Sequence, residues 1–350
     1  MRGFYRKGLF FLCIVYGTFG CVSAQTVSNA TATQVGKTIH VSYDLDKEAD
    51  VTLHLSTDGG NTYSEMHRVS GDVGKNVGAG HNTIVWDVLA EREQLVGDNI
   101  VLKVKAQGAC PYTLTDYDGN TYRTVQIGEQ CWMRENLRTT HYADGTSINH
   151  GTKGSQKYPY YFYPTDSRDS YYDKKYVSEY GLLYNWCAVM GYAKPSNANP
   201  SGVQGICPKG WHVPSAAEWE QLLKYVGSKR EYVCGSGKDS IVKALADTVT
   251  WDSYACGAAA PPCYACKNPS SNNMTNFSIR AAGFYWTYHK ILGKKQEPEM
   301  YPTRLCAQFW STAQSHHSKD RISFHLDYDD CYLLYYQDRD MGYSVRCVKN

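Results

Sequence analysis

The stretch "ICPKGWHVPSAAEWEQLL", residues 206–223, places a cysteine, a histidine and two glutamates close together around two tryptophans. Its second half predicts a helix. Ser215 followed by Glu218 is a capping box, in which the hydroxyl accepts from the N–H of 218 and the carboxylate reaches back to the N–H of 215. Pro214 precedes the cap and is placed to meet Trp219 as a hydrophobic staple. Trp219, Leu222, Leu223 and Val226 fall at i, i+3, i+4 and i+7, one apolar stripe, and Gly227 is expected to end the helix. Glu218 therefore has a structural task, which lowers its value as a general acid.

The first half is read the same way. A zinc site needs four ligands, commonly in paired short spacings. "CYAC" at 263–266 has the spacing of one pair, and no second clean pair accompanies it. A cysteine nucleophile needs a histidine close in space, which spacing along the chain does not supply. The better expectation for Cys207 is a structural disulfide to a distant strand, with Cys347 in "GYSVRCVKN" the candidate partner. His212 is expected to be a packed or hydrogen-bonded histidine.

An oxidising compartment is implied by the start of the chain. "MRGFYRKGLFFLCIVYGTFGCVSAQ" has Arg2, Arg6 and Lys7, then an apolar run from Leu9 to about Phe19, then Val22-Ser23-Ala24 as a small-residue cleavage pattern. Residues 1–24 are accordingly read as a signal peptide. The rival reading is a lipoprotein anchored through Cys21, although Thr18 and Phe19 stand where a lipobox wants Leu and a small residue. No other apolar run reaches spanning length. Without Cys13 and Cys21, eleven of the 13 cysteines remain, and in an exported chain most are expected in disulfides. The odd number leaves one unpaired or bonded to another chain. A net charge of +2 over 350 residues gives no electrostatic case for nucleic acid or an anionic membrane as partner.

Residues 25–107 lack cysteine and alternate with period two. "TIHVSYDL" places Ile39, Val41, Tyr43 and Leu45 on one face, and "VTLHLSTD" does so with Val51, Leu53 and Leu55. "NTIVWDVL" and "IVLKVKAQ" complete a set of strands with no helical stretch, the pattern of a small β-sandwich. At "QGAC" the composition changes. Residues 108–350 form a second domain, rich in cysteine, tryptophan and tyrosine, that reads as α+β.

Within it, Asp116, Asp118 and Asn120 suggest a calcium loop, but Gly119 sits between the second and third of them, so "YDGN" reads better as the turn of a β-hairpin. Cys110 and Cys131 flank that hairpin and are placed to bridge it. The run "YPYYFYPTDSRDSYYDKKYVSEYG" offers Tyr160, Tyr161, Tyr171 and Tyr172 as candidate ligand contacts, since aromatics in loops stack on sugars or peptides. "YACGAAAPPCYACKNPSSNN", residues 254–273, is a loop in which Cys256, Cys263 and Cys266 are expected to form disulfides. "RISFHLDYDD" and "CYLLYYQDRD" read as a hairpin through Asp329-Asp330, with Cys306 and Cys331 as partners across neighbouring strands. His316, His317 and Asp320 lie in a polar stretch read as solvated. No metal, cofactor or catalytic residue is assigned.

Five ordered motifs, "TDYDGNTYRTVQIGEQCWMRENLRTTHYADGT", "GLLYNWCAVM", the opening stretch, "FWSTAQ" and "GYSVRCVKN", closely resemble the Fibrobacter succinogenes major paralogous (FISUMP) domain, over about residues 112–350. The family is common in secreted and surface proteins of Bacteroidetes and Fibrobacter and has no well-established enzymatic activity. The β-sandwich in front looks like the Ig/fibronectin-like module that often precedes it. "WHVPSAAEWEQL" is also similar to the signature of formylglycine-generating proteins, which implies a C-type-lectin-like fold. Neither the cysteine–serine pair of their copper site nor the lectin calcium triplets are present. The resemblance implies an exported, non-catalytic surface protein that binds a glycan or a protein through loops on a disulfide-tied scaffold. The alternatives are an enzyme of the formylglycine-generating type using a reduced cysteine pair that involves Cys263 and Cys266 or the odd cysteine, or a structural fibre component.

Overall fold

The computed structural model describes residues 27–108, 110–164, 174–235, 241–253, 260–286, 299–301, 303–315 and 320–350. The signal peptide, Tyr171, Tyr172, Cys256, His316 and His317 lie outside them. The chain divides into two compact units after Ala109.

Among its described residues the first unit is all-β apart from one helical turn. Its strands are β1 (Val27–Val35), β2 (Thr38–Leu45), β3 (Ala49–Ser56), β4 (Ser64–Glu65), β5 (Val69–Gly71), β6 (Gly74–Val77), β7 (Gly80–Asp87) and β8 (Val101–Gly108). One sheet runs β1-β2-β7-β5, and in the other β3 pairs with β4, β6 and β8. Alternation decides what they bury. Ile39, Val41, Tyr43 and Leu45 of β2 meet Val51, Leu53 and Leu55 of β3 in one core with Ile84 and Trp86 of β7. "NTIVWDVL" is not strand throughout. The strand stops at Asp87, whose carboxylate accepts the Ala90 N–H (3.2 Å) and caps α1 (Val88–Glu91).

The second unit is mostly strand, with short helices. In chain order it contains β9 (Thr113–Thr115), β10 (Thr121–Ile127), β11 (Gln130–Met133), β12 (Asn149–His150), β13 (Tyr160–Phe162), α2 (Val177–Tyr180), β14 (Leu183–Tyr184), α3 (Trp186–Met190), β15 (Trp211–His212), α4 (Ala216–Ser228), α5 (Val242–Leu245), β16 (Phe284–Trp286), β17 (Glu299–Tyr301), β18 (Cys306–Gln314), β19 (Arg321–Asp327), β20 (Cys331–Gln337) and β21 (Val348–Lys349). The principal sheet runs β15-β21-β11-β10-β9, and β18-β19-β20 forms a second, antiparallel sheet. Every residue of β11 is buried, as a strand covered on both faces requires. Cys131 and Met133 point into one core, with Trp186, Trp211 and Tyr343. Trp132 points into the other, with Trp219, Phe277, Phe309 and Phe324.

The opening stretch sits where these layers meet. The capping box is formed: Glu218 N–H donates to Ser215 Oγ (3.3 Å) and Ser215 N–H to Glu218 Oε2 (2.9 Å). The indole of Trp219 lies 4.6 Å from that of Trp132 and stacks on Phe324 at 4.4 Å, between ring centroids. The helix does not end at Gly227. It continues through Ser228 to an extended C-cap at Lys229, with its final turn closed by the Lys229 N–H on Val226 O. Cys207 is bonded to Cys347, and Cys110 to Cys131.

The expected Cys306–Cys331 bridge is overturned. Cys306 pairs with Asp327, and Cys331 with Leu326, so β19 lies between the two cysteines. Two interstrand spacings, roughly 9.5 Å, exceed what a disulfide spans, and adjacent residues of β19 point to opposite faces. In the 254–273 loop, Cys263 and Cys266 are disulfide-bonded as expected, Cys263 to Cys234, which was not among the named candidates.

Candidate ligand-binding groove

His212 and Glu218 are drawn into one buried network. Glu218 Oε1 meets His212 Nε2 at 2.7 Å, His212 Nδ1 meets Asn350 Oδ1 at 2.7 Å, and Glu218 Oε2 also accepts the Ser201 N–H (3.0 Å). Both side chains are almost wholly buried. Each polar side-chain atom of His212 and Glu218 is thus held by a protein group, and the arrangement braces the helix start against the principal sheet. Glu218→Ala strands two buried N–H groups and the imidazole. It is expected to cost about 3 kcal/mol, read as a lower urea midpoint, with Glu218→Gln losing less. Equal midpoints for wild type and Glu218→Ala would remove the network from the fold's support.

Cys263 and Cys266 are both in disulfides, so these two are not available as a reduced pair. Cys187 and Cys306 are buried thiols. Burial pushes both up from the ordinary thiol range, which suppresses the thiolate needed for attack.

Of the tyrosines expected to carry the ligand, Tyr160 and Tyr161 lie in a strand. Tyr160 and Tyr161, adjacent on β13, are half-buried and alternate in direction. Tyr160 packs beside Phe162, Leu183 and Tyr285. Tyr161 faces His150 and Tyr163, with ring centroids 5.5 and 5.8 Å away. Burial, then hydrogen bonding with Tyr163, raises the Tyr161 pKa to about 12.

An open groove of about 540 Å³ lies elsewhere, lined by residues 142–146, 190–194 and 202–205. One wall is a hairpin in which Tyr142 N–H donates to Thr146 O (2.9 Å) and Gly145 N–H to Tyr142 O (3.0 Å). Gly145 has φ +89°, and a Cβ there would strike the Tyr117 hydroxyl, so glycine admits that ring. The opposite wall begins where α3 stops. Gly191 caps it in the left-handed conformation, and Tyr192 follows at φ +66°. The floor includes Gly205, where a Cβ would collide with the Val189 carbonyl. Tyr142 is half-buried, with its hydroxyl unpartnered among the described residues, and burial raises its pKa. Tyr192 is 73% exposed.

Asp118 anchors the hairpin wall. Its Oδ2 accepts from the Thr140 N–H (2.5 Å) and from the hydroxyls of Thr140 and Thr139, and its Oδ1 meets His141 Nδ1. Asp116 likewise accepts from Asn120 and from the Tyr122 hydroxyl (2.6 Å), while Gly119 makes the turn at φ +80°. The carboxylates of "DYDGN" are therefore occupied by protein donors in a hairpin turn. Burial opposes ionisation of Asp118, but the bonds from Thr140, His141 and Thr139 outweigh it and hold the carboxyl below its ordinary 3.8. A depressed carboxyl stabilises the fold in full above the unfolded value, and the contribution disappears as pH falls through the lower folded value. Below about pH 4 the hairpin wall is expected to loosen, read as a pH-dependent shift and faster exchange of the Thr140 amide. An unchanged amide down to pH 2, or the same transition in Asp118→Asn, would sink the assignment.

A protein-family model described as the Fibrobacter succinogenes major domain (Fib_succ_major) matches residues 125–349. The chain belongs to that family. The Fibrobacter succinogenes major domain takes in the structure from within β10 to β21, including the groove, and begins at Val125 rather than at about residue 112. It is a paralogous domain family of surface proteins, not known for enzymatic activity. No curated protein and no solved structure matches the chain. Among the described residues, no helix is long and apolar enough to cross a membrane.

Sequence reasoning missed Tyr142 and Tyr192. "ADGT" at 143–146 is a turn signal, and glycine after "NWCAVM" is a helix-stop signal, so each tyrosine was locally readable as a turn residue. Their meeting across 50 positions was not.

Proposed function

We propose that the chain is an exported, non-catalytic cell-surface binding protein. In this reading an Ig/fibronectin-like module carries a C-type-lectin-like domain that holds a ligand in the groove between the 142–146 hairpin and the 190–205 loops. The observation that carries it is Tyr192, a large ring held in a left-handed backbone conformation and directed largely to solvent. Such a residue costs roughly 1–3 kcal/mol in backbone strain and recovers little of it through burial. The cost is expected where a ring must be presented to something else. Support also comes from the scaffold, since loops braced by the Cys207–Cys347 and Cys110–Cys131 bridges can vary without disturbing the core.

The test is an array of purified surface glycans and surface proteins probed with the full chain and with Tyr192→Ala. Binding to any spot that falls at least tenfold in the variant supports the reading. Binding that ignores the substitution moves the ligand to another face, and an array with no signal overturns the reading.

A further inference from the structure

We propose that the groove is a saccharide site, accepting a neutral pyranose with Tyr192 as its stacking platform. This rests on the binding reading above and names its ligand class. A pyranose has an apolar face of C–H groups and a rim of vicinal hydroxyls, each both donor and acceptor. The groove offers matching partners for both. The exposed Tyr192 ring and the side chain of Val203 supply apolar surface, and an aromatic face carries the negative quadrupole that attracts polarised C–H groups. Around them stand the Asp144 carboxylate as acceptor, the Lys194 ammonium as donor and the Gln204 amide.

Two of these polar groups are already oriented. Asp144 accepts the Thr146 N–H (2.8 Å), and the Gln204 amide donates to Cys207 O (3.2 Å), leaving oxygen sites open on both. Asp144 is exposed, and its bonds from Thr146 hold its carboxyl below the ordinary range, so it remains an acceptor at neutral pH.

Charge and size narrow the class. Asp144 and Lys194 carry opposite signs, so the walls have no net charge to attract a nucleotide or a polyanionic chain. The volume of about 540 Å³ falls within the range of small-ligand sites, and the polar rim is unsuited to an acyl chain.

The full chain is titrated with methyl α-D-mannopyranoside, methyl β-D-glucopyranoside, methyl β-D-galactopyranoside and cellohexaose. Binding is followed by saturation-transfer NMR and calorimetry. At least one is expected to bind with a dissociation constant of roughly millimolar or tighter. Tyr192→Ala is expected to weaken that binding at least tenfold, while Tyr192→Trp keeps it. Tyr192→Gly should lose binding yet melt at a higher temperature than wild type, because glycine is unstrained at this φ. That combination separates a ligand platform from a structural residue.

Absence of binding to all four probes overturns the saccharide assignment, as does binding unaffected by Tyr192→Ala. If the sugars fail while a protein spot on the array binds in a Tyr192-dependent manner, only the ligand class is wrong. If neither binds, the underlying binding reading fails with it.

Discussion

Replacing Cys207 and Cys347 together by alanine is expected to lower the stability of the second unit by about 5 kcal/mol. The two cysteines are 140 residues apart and fully buried. In the chain-entropy view, a bridge closing so long a loop restricts the unfolded ensemble strongly, while the loss of two sulfurs from a packed core adds a smaller term. The Cys110–Cys131 bridge closes only 21 residues, and its removal should cost nearer 3 kcal/mol. The difference is measurable as two separated denaturant midpoints for the second unit, with the transition of the first unit unmoved. If the two double variants unfold together, or if the long bridge can be removed without loss, the Cys207–Cys347 bridge is not what secures β15 and β21.

The second large effect is expected at Arg346. Its guanidinium is fully buried and, among the described residues, meets no carboxylate directly. It donates to Asn136 Oδ1 (3.0 Å), to Met133 O (3.3 Å), to Ser278 O (2.6 Å) and to Phe277 O, with its carbon 4.8 Å from the centre of the Phe277 ring. Burial pulls its pKa down to about 9, which still leaves it charged at neutral pH. Those acceptors belong to β11 and the Asn136 side chain just after it, and to the 277–278 turn, where Ser278 is held at φ +57°. One side chain therefore fastens a left-handed turn to the central strand. Arg346→Ala leaves a cavity and four acceptors without their donor, at a cost of about 4 kcal/mol. Arg346→Lys should lose nearly as much, since a single ammonium cannot reach acceptors arranged around a planar fork. Chemical denaturation checks both. An Arg346→Lys protein as stable as wild type would show that charge alone, not the fork, is what the site requires.

What could be read from the sequence was local or periodic. The capping box needs only Ser215 and Glu218 three positions apart, and the β2 and β3 faces need only alternation. Both patterns are written in adjacent residues. The contacts that give Glu218 its full environment come from Ser201 and His212, on segments whose approach depends on the whole sheet. The Cys306–Cys331 expectation failed for the same reason. Two cysteines on strands of one sheet look like neighbours until strand order places β19 between them. The helix passed Gly227 because that residue keeps ordinary helical dihedrals, so glycine there is permitted as a stop without being one. For the groove, composition pointed to the tyrosine-dense run at 158–180. Tyrosines in a strand such as β13 are half-buried in the packing, however, whereas Tyr192, after a helix cap, presents its ring to solvent. Aromatic density marks a core as readily as a surface, and conformation at a single residue separates the two.

The position of β21 in the principal sheet has a consequence for the order of events during synthesis. It lies between β15 and β11, pairing Val348 with both His212 and Trp132, yet it follows every other element of the unit along the chain. Until it arrives, β11 and β15 share no edge, and Cys207 must wait 140 residues for its partner. At ordinary elongation rates that is roughly seven to thirty seconds. Throughout that interval Cys234, Cys256, Cys263, Cys266, Cys306 and Cys331 are all made before Cys347. The nascent chain therefore passes through a period when most available thiol pairings are wrong ones, and its yield of native protein should depend on how well a thiol–disulfide isomerase reshuffles them.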